Sequence, residues 1–177
     1  MDKNSNFVLI GFKRSGKTTL GRALAHHFDL QFIDTDSLIA PDCNQFYQQQ
    51  GKEAFRQREE EVIRDLKGTK NALISIGAGA VLSPPSVHTL KKLGPLFYLY
   101  LDKDELKRRF QLPPVPAYFE GDFDAAFEKM YAERAPLYEQ IADKVIFHEE
   151  ELWQAIHSGV SFVSQPGENP TARPSAS

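Results

Sequence analysis

The stretch FVLIGFKRSGKTTL, Phe7 to Leu20, decides how the rest of the chain is read. Its first five residues are apolar, rich in branched and aromatic side chains, and stop at a glycine, the pattern of a short strand buried on both faces. From Lys17 onward, Leu20, Ala23, Leu24 and Phe28 recur at three- and four-residue intervals, which puts them on one face of a helix. Between strand and helix, Gly11, Gly16, Lys17 and Thr18 satisfy G-x-x-x-x-G-K-[ST]. Such a loop turns backbone N–H groups and the positive end of the helix toward phosphates. The Lys17 amine reaches the β- and γ-phosphates, and the Thr18 hydroxyl suits Mg2+. The run Gly11, Phe12, Lys13, Arg14, Ser15, Gly16, Lys17, Thr18, Thr19 is therefore read as a loop for ATP or GTP with magnesium. Two bulky cations in its middle, Lys13 and Arg14, stand where small residues would let the backbone close in.

With 177 residues, 41% of them hydrophobic and 25% charged, the chain has room for one domain with its own core. Its formal net charge of -3 offers no basic excess of the kind nucleic-acid binding uses, so an anionic ligand has to be gripped by local positive groups. The single cysteine, Cys43, cannot form an internal disulfide and reads as an ordinary small side chain in a reducing compartment. No apolar run approaches the ~20 residues that span a bilayer, and MDKNSN leads only into the short FVLIGF before charge resumes. A cytoplasmic protein without membrane or nucleic-acid partners is expected.

Outward from the loop, strands and helices alternate. QFIDT (31–35), NALISIGAGAV (71–81, running into a glycine turn), PLFYLYL (95–101) and DKVIF (143–147) read as further strands. The segments DCNQFYQQQ, EAFRQREEEVIRDL, PSVHTLKKLG, DKDELKRRF, DAAFEKMYAERAPLYEQIA (bent near Pro136) and EEELWQAIHS read as helices, and LPPVPAYFEGD as a loop. Trp153 is expected in the core, and the five histidines show no metal-ligand spacing. Residues 1–158 are expected to form one domain, with 159–177 a tail disordered beyond about residue 163. Alternating strands and helices imply an α/β fold, a parallel sheet with helices on both faces.

In an open parallel sheet, ligands bind beyond the carboxyl ends of the strands, which sets Asp34 and Asp36 beside the phosphate loop. One carboxylate suits the water shell of the metal and the other an acceptor hydroxyl; the plainer role for Asp36 is to cap the next helix.

GFKRSGKTTLGRALA, FIDTDSLI, GKEAFRQREEEVI, ISIGAGAVL and RAPLYEQIADKVI occur in the order and at the spacings of the shikimate kinase family, which the chain resembles from about Phe7 to Ile156. The resemblance implies a three-layer α/β/α P-loop kinase fold with a five-stranded parallel sheet in the order 2-3-1-4-5 and a mobile lid at about 112–124. It implies transfer of the ATP γ-phosphoryl group to the 3-hydroxyl of shikimate, with Mg2+, by a monomer. It gives Asp36 the acceptor hydroxyl, as a catalytic group beside Lys17, and places Thr18 and Asp34 at the metal. Arg56 and Arg134 take the shikimate carboxylate, Gly77, Ala78 and Gly79 the substrate through their N–H groups, and Arg109 the adenine. Two other outcomes stay open: a P-loop kinase with another acceptor such as gluconate, or a nucleotide-binding regulatory protein weakened in catalysis.

The departures from the family pattern carry expectations of their own. Ala78 replaces the middle glycine of the turn and would cost roughly 1 kcal/mol or more if that residue needed a positive φ. Tyr47 stands where the family usually has phenylalanine, and Lys52 where it has an acid. The lid run Arg-Pro-Leu-Leu is here Val115-Pro116-Ala117-Tyr118, so the lid arginine is missing, and Tyr118 or Phe119 serves as a hydrophobic latch. An arginine on a transferring phosphoryl group contributes roughly 10³ to 10⁵ in rate. Arg14, where the family has glycine, is expected either to restore that charge catalytically, together with Lys13, or to point into solvent.

Overall fold

The computed structural model describes residues 5–116, 119 and 121–159. Tyr118 and most of the tail, on which two expectations fall, lie outside the described residues. Five parallel strands form the sheet: β1 (Phe7–Ile10), β2 (Gln31–Asp34), β3 (Ala72–Ser75), β4 (Leu96–Leu99) and β5 (Lys144–Ile146), in the order β2-β3-β1-β4-β5. The three inner strands are apolar at nearly every position and wholly buried, as strands covered on both faces must be, whereas edge strand β2 is half exposed.

Alternation along β1 divides the core. Phe7 and Leu9 face a layer formed by α1 (Lys17–His27) and α7 (Glu149–His157), packing with Leu20, Leu24, Leu152 and Ile156. Val8 and Ile10 face the larger layer: α3 (Cys43–Asp65), α4 (Pro84–Leu93), α5 (Lys103–Gln111) and α6 (Phe123–Ile141), with Ile63, Leu90, Phe110 and Tyr138. A short helix, α2 (Thr35–Ile39), follows β2. Helix α3 breaks at Gly51, whose φ of 83° divides it into the two helices read from the sequence. Helix α6 continues through Pro136.

Three expectations change. The second strand ends at Asp34, so Asp36 lies in the first turn of α2, and it is the Asp34 carboxylate that caps this helix, accepting from the Asp36 N–H at 3.1 Å. Trp153 is 38% exposed and stacks on His157 at the surface, because α7 turns its other side to the sheet. Ala78 is not among the residues with positive φ, so its methyl carries no backbone strain.

At the amino edge of the sheet the buried Asn6 joins three segments. Its Nδ2 donates to the carbonyls of Thr69 (2.6 Å) and Leu93 (3.0 Å), and its Oδ1 accepts from the Ala72 N–H at 3.1 Å. Asn6→Ala would leave those groups buried without partners, so we expect a loss of about 2–4 kcal/mol and a melting temperature lower by roughly 5–15 °C. Thermal unfolding checks this; a shift under 2 °C would contradict it. Lying at the opposite end of the sheet from the phosphate loop, the change should leave kcat unaltered.

Candidate active site

The phosphate loop is shaped by two glycines and one lysine. Gly11 has φ 143° and lies so close to β4 that a Cβ there would stand 2.9 Å from the Leu99 carbonyl oxygen. Gly16 (φ 101°) starts α1 in the left-handed conformation, and no side chain caps that helix, so its first-turn N–H groups are open to an anion. The buried Lys17 ammonium donates to the carbonyls of Gly11 (2.9 Å) and Phe12 (2.7 Å), drawing the loop around itself. Burial lowers its pKa to about 8, against the pull of Asp36 and Asp34. Phe12 contributes only backbone to this loop: its ring lies in the core, stacked on Tyr131 at 5.1 Å and edge-on to Tyr138 at 5.0 Å.

Asp34 and Thr18 come together at the mouth of the loop, where the exposed Thr18 hydroxyl donates to Asp34 Oδ2 at 2.7 Å. A hydroxyl and a carboxylate beside a phosphate site are the hard oxygen donors Mg2+ accepts while keeping most of its waters. Among the described residues no group of three or more His, Cys, Asp or Glu converges to hold a metal by itself.

Across Asp36 lies a second cavity, lined by Arg56, Glu59, Ala78, Gly79 and Arg134 with Cys43, Asn44, Tyr47 and Phe55. Here the glycine turn has its reason. A Cβ on Gly79 would fall 1.8 Å from Arg56 Nη1, and one on Gly77 would fall 2.5 Å from Asp36 Oδ1. A side chain at either position would push the Arg56 guanidinium or the Asp36 carboxylate out of place, although neither glycine has a positive φ. Arg56 is held by Glu59 (2.5 Å), while its buried Nε has no hydrogen-bond partner among the described residues. With Arg56 and Arg134 both on its wall, the cavity presents positive charge suited to an anion. Burial raises the Glu59 carboxyl against Arg56 and, more weakly, Arg134, and burial likewise raises Asp36 against Lys17. A carboxylate so raised is the better acceptor for a hydroxyl proton.

Several wall residues were not legible as site residues. Cys43 and Asn44 sit in what reads as a glutamine-rich surface helix, and only the fold turns its first turn onto Asp36. Cys43 Sγ donates to the Asp36 carbonyl at 3.2 Å, and burial pushes the thiol up to about 11, so it stays protonated. Thr35, fully buried, accepts from the Gly77 N–H at 2.8 Å and ties the end of β2 to the turn.

Arg14 is neither in solvent nor free for a phosphate. Its guanidinium donates to the carbonyls of Arg109, Leu112 and Pro114, at the end of α5 and just beyond it, and lies 5.9 Å from the Phe110 ring center. Arg109 answers by donating to the Arg14 carbonyl at 3.1 Å, while Arg108 and Arg109 hold the Glu105 carboxyl down to about 2. The expectation that Arg14 brings its charge to the γ-phosphate is therefore revised: three of its donors fasten the phosphate loop to the end of α5 and the segment that follows it. Phe119 packs edge-on against Phe110 at 5.2 Å and against Phe123 at 5.1 Å, a hydrophobic latch on the body of the protein.

A phosphate loop with an adjoining, arginine-lined acceptor cavity defines a P-loop kinase of small molecules. The sequence profile described as shikimate kinase (SKI) matches residues 14–161. Shikimate kinase of Xylella fastidiosa (strain M12) is 33% identical over 151 residues, covering 82% of this chain and 84% of the relative. That of Francisella tularensis subsp. novicida (strain U112) is 36% identical over 152 residues, 82% and 86% of the two chains. The structure of Acinetobacter baumannii shikimate kinase in complex with shikimate superposes with a TM-score of 0.79 at 26% identity, covering 89% of this chain and 93% of that one. A gluconokinase from Sinorhizobium meliloti, at 12% identity and a TM-score of 0.51, shares the fold alone. The chain belongs to the shikimate kinase family.

The depressed Lys17 makes nucleotide binding sensitive to pH in a defined direction. Near pH 8 about half of the free protein carries a neutral Lys17, and bound phosphates restore its charge, so binding should take up roughly half a proton. Calorimetry of a non-hydrolysable ATP analogue in two buffers of different ionisation enthalpy should show that uptake at pH 8. Affinity should fall as pH rises above about 8; buffer-independent enthalpy at pH 8 would exclude the effect.

Proposed function

We propose that this chain transfers the γ-phosphoryl group of ATP to the 3-hydroxyl of shikimate, giving shikimate 3-phosphate and ADP on the route to chorismate and the aromatic amino acids. The observation that carries the reading is the placement of Asp36, on the wall common to the phosphate cavity and the arginine-lined cavity. Arg56 and Arg134 hold the acceptor by its carboxylate, for which planar guanidinium forks are suited. The N–H groups of the turn Gly77–Gly79 line the substrate. Asp36 then orients the hydroxyl and accepts its proton, while Lys17 and the loop N–H groups hold the β- and γ-phosphates. Arg109 lies along the adenine.

Thr18 and Asp34 are the residues that would hold Mg2+, which when bound supplies neutralising charge to the phosphates. The protein works as a monomer in the cytoplasm on two small molecules. Among the described residues no helix is long and apolar enough to cross a membrane.

The test is ADP release in a coupled assay with and without shikimate. Release that requires shikimate supports the reading; release with gluconate instead, or tight ATP binding without turnover, would overturn it. In the same assay Arg134→Ala should raise KM for shikimate about 30-fold or more, the scale of about 2 kcal/mol for a charged hydrogen-bonded contact. ATP affinity should hardly move, and equal weakening of both substrates would count against the carboxylate role.

A further inference from the structure

The acceptor-side cavity and the phosphate-side cavity share two residues among those described: Asp36 and Lys13. Asp36 already has a role at that junction. Lys13 is half-buried and makes no hydrogen bond or ion pair with any described residue, yet it stands close enough to Asp36, Lys17 and Cys43 for its charge to act on all three. The other cations nearby are engaged. Arg14 is fastened to the segment after α5, Arg56 to Glu59, and Lys17 to the carbonyls of its own loop. From Gln111 through Asp122 the sequence holds no lysine or arginine, so that segment has no cation to offer the junction.

In the reaction the bond between the γ-phosphorus and the β,γ-bridging oxygen breaks, and its electron pair stays on ADP. A new bond forms from the acceptor oxygen to phosphorus, and the hydroxyl proton passes to the Asp36 carboxylate. Negative charge on the three peripheral oxygens of the phosphoryl group passes through the junction of the two cavities, where a preorganised cation has most effect. We propose that Lys13 is a catalytic residue of this chain: its ammonium neutralises the phosphoryl group in transit, the work a lid cation would otherwise do. The proposal rests on the kinase reading above, and extends it to a residue that a nucleotide loop does not need for binding alone.

Lys13→Met, of similar length and without charge, isolates the effect. The expected result is a kcat lower by ~10²-fold or more, with KM for ATP and for shikimate each within about threefold of the parent, and partial recovery in Lys13→Arg. The ternary mimic of ADP, fluoroaluminate and shikimate should bind at least tenfold more weakly to Lys13→Met, while ADP alone and shikimate alone bind as before. A kcat within threefold of the parent, or a loss confined to KM for either substrate, overturns the proposal. Lys13→Gln, read by the same criteria, serves if the methionine variant does not fold, and an unchanged melting temperature certifies either. If the parent itself releases no ADP with shikimate, it is the kinase reading that fails; a normal parent and a normal Lys13→Met fail the Lys13 role alone.

Discussion

The bond that the site depends on is the one Lys17 makes to its own loop. Its ammonium, buried and donating to the Gly11 and Phe12 carbonyls, holds the phosphate loop in shape before any nucleotide arrives. That arrangement is preorganisation with a cost: a desolvated cation whose pKa is about 8. The cost is tolerable because two carboxylates, Asp34 and Asp36, lie close enough to offset part of it, and because the Phe12 side chain anchors the loop in the aromatic core against Tyr131 and Tyr138. The same carboxylates stand at the phosphate cavity, Asp36 on its wall and Asp34 against Thr18 at its mouth, so the shape of the loop and the charge of the site are one set of interactions.

How the second cavity was built follows from glycine and burial. Arg56 approaches the backbone of Gly79, and Asp36 that of Gly77, more closely than a Cβ would leave room for, so the cavity-wall side chains and the turn interlock. Ala78 between them escapes this constraint. It is free of positive φ, and its carbonyl, not its methyl, is the fixed point, accepting from the Tyr138 hydroxyl at 2.5 Å. The replacement of the middle glycine therefore leaves the cradle intact.

Much of this was legible in the sequence, because strong local signals and global fold agree there. The strand–loop–helix motif, the buried strands and the four parallel crossovers are short-range patterns, and the paired arginines are carried by a family resemblance. What was not legible depends on placement across the sheet. Cys43 and Asn44 look like surface until α3 folds onto Asp36; Trp153 looks like core until α7 presents its other side to β1 and β4. In DTDS every residue is a good helix cap, so the sequence leaves the start of α2 open; the fold settles it on Asp34, two residues before Asp36.

Lys13 and Arg14 show the same limit at its sharpest, since two adjacent cations look equivalent on paper. Arg14 has φ 67°, a conformation that costs a non-glycine residue roughly 1–2 kcal/mol and explains why glycine is usual at this position of the family. Here the cost is offset by three carbonyls, from Arg109, Leu112 and Pro114, which its guanidinium satisfies at the end of α5 and just beyond it. With Arg14 fastened there, its neighbour Lys13 lines the two substrate cavities, where Arg14 lines only the phosphate side. One arginine thus fixes the segment after α5 to the phosphate loop, and one lysine is left at the junction of the two cavities. Two neighbouring cations that look alike in sequence therefore take different places, one spent on fastening and the other facing both cavities.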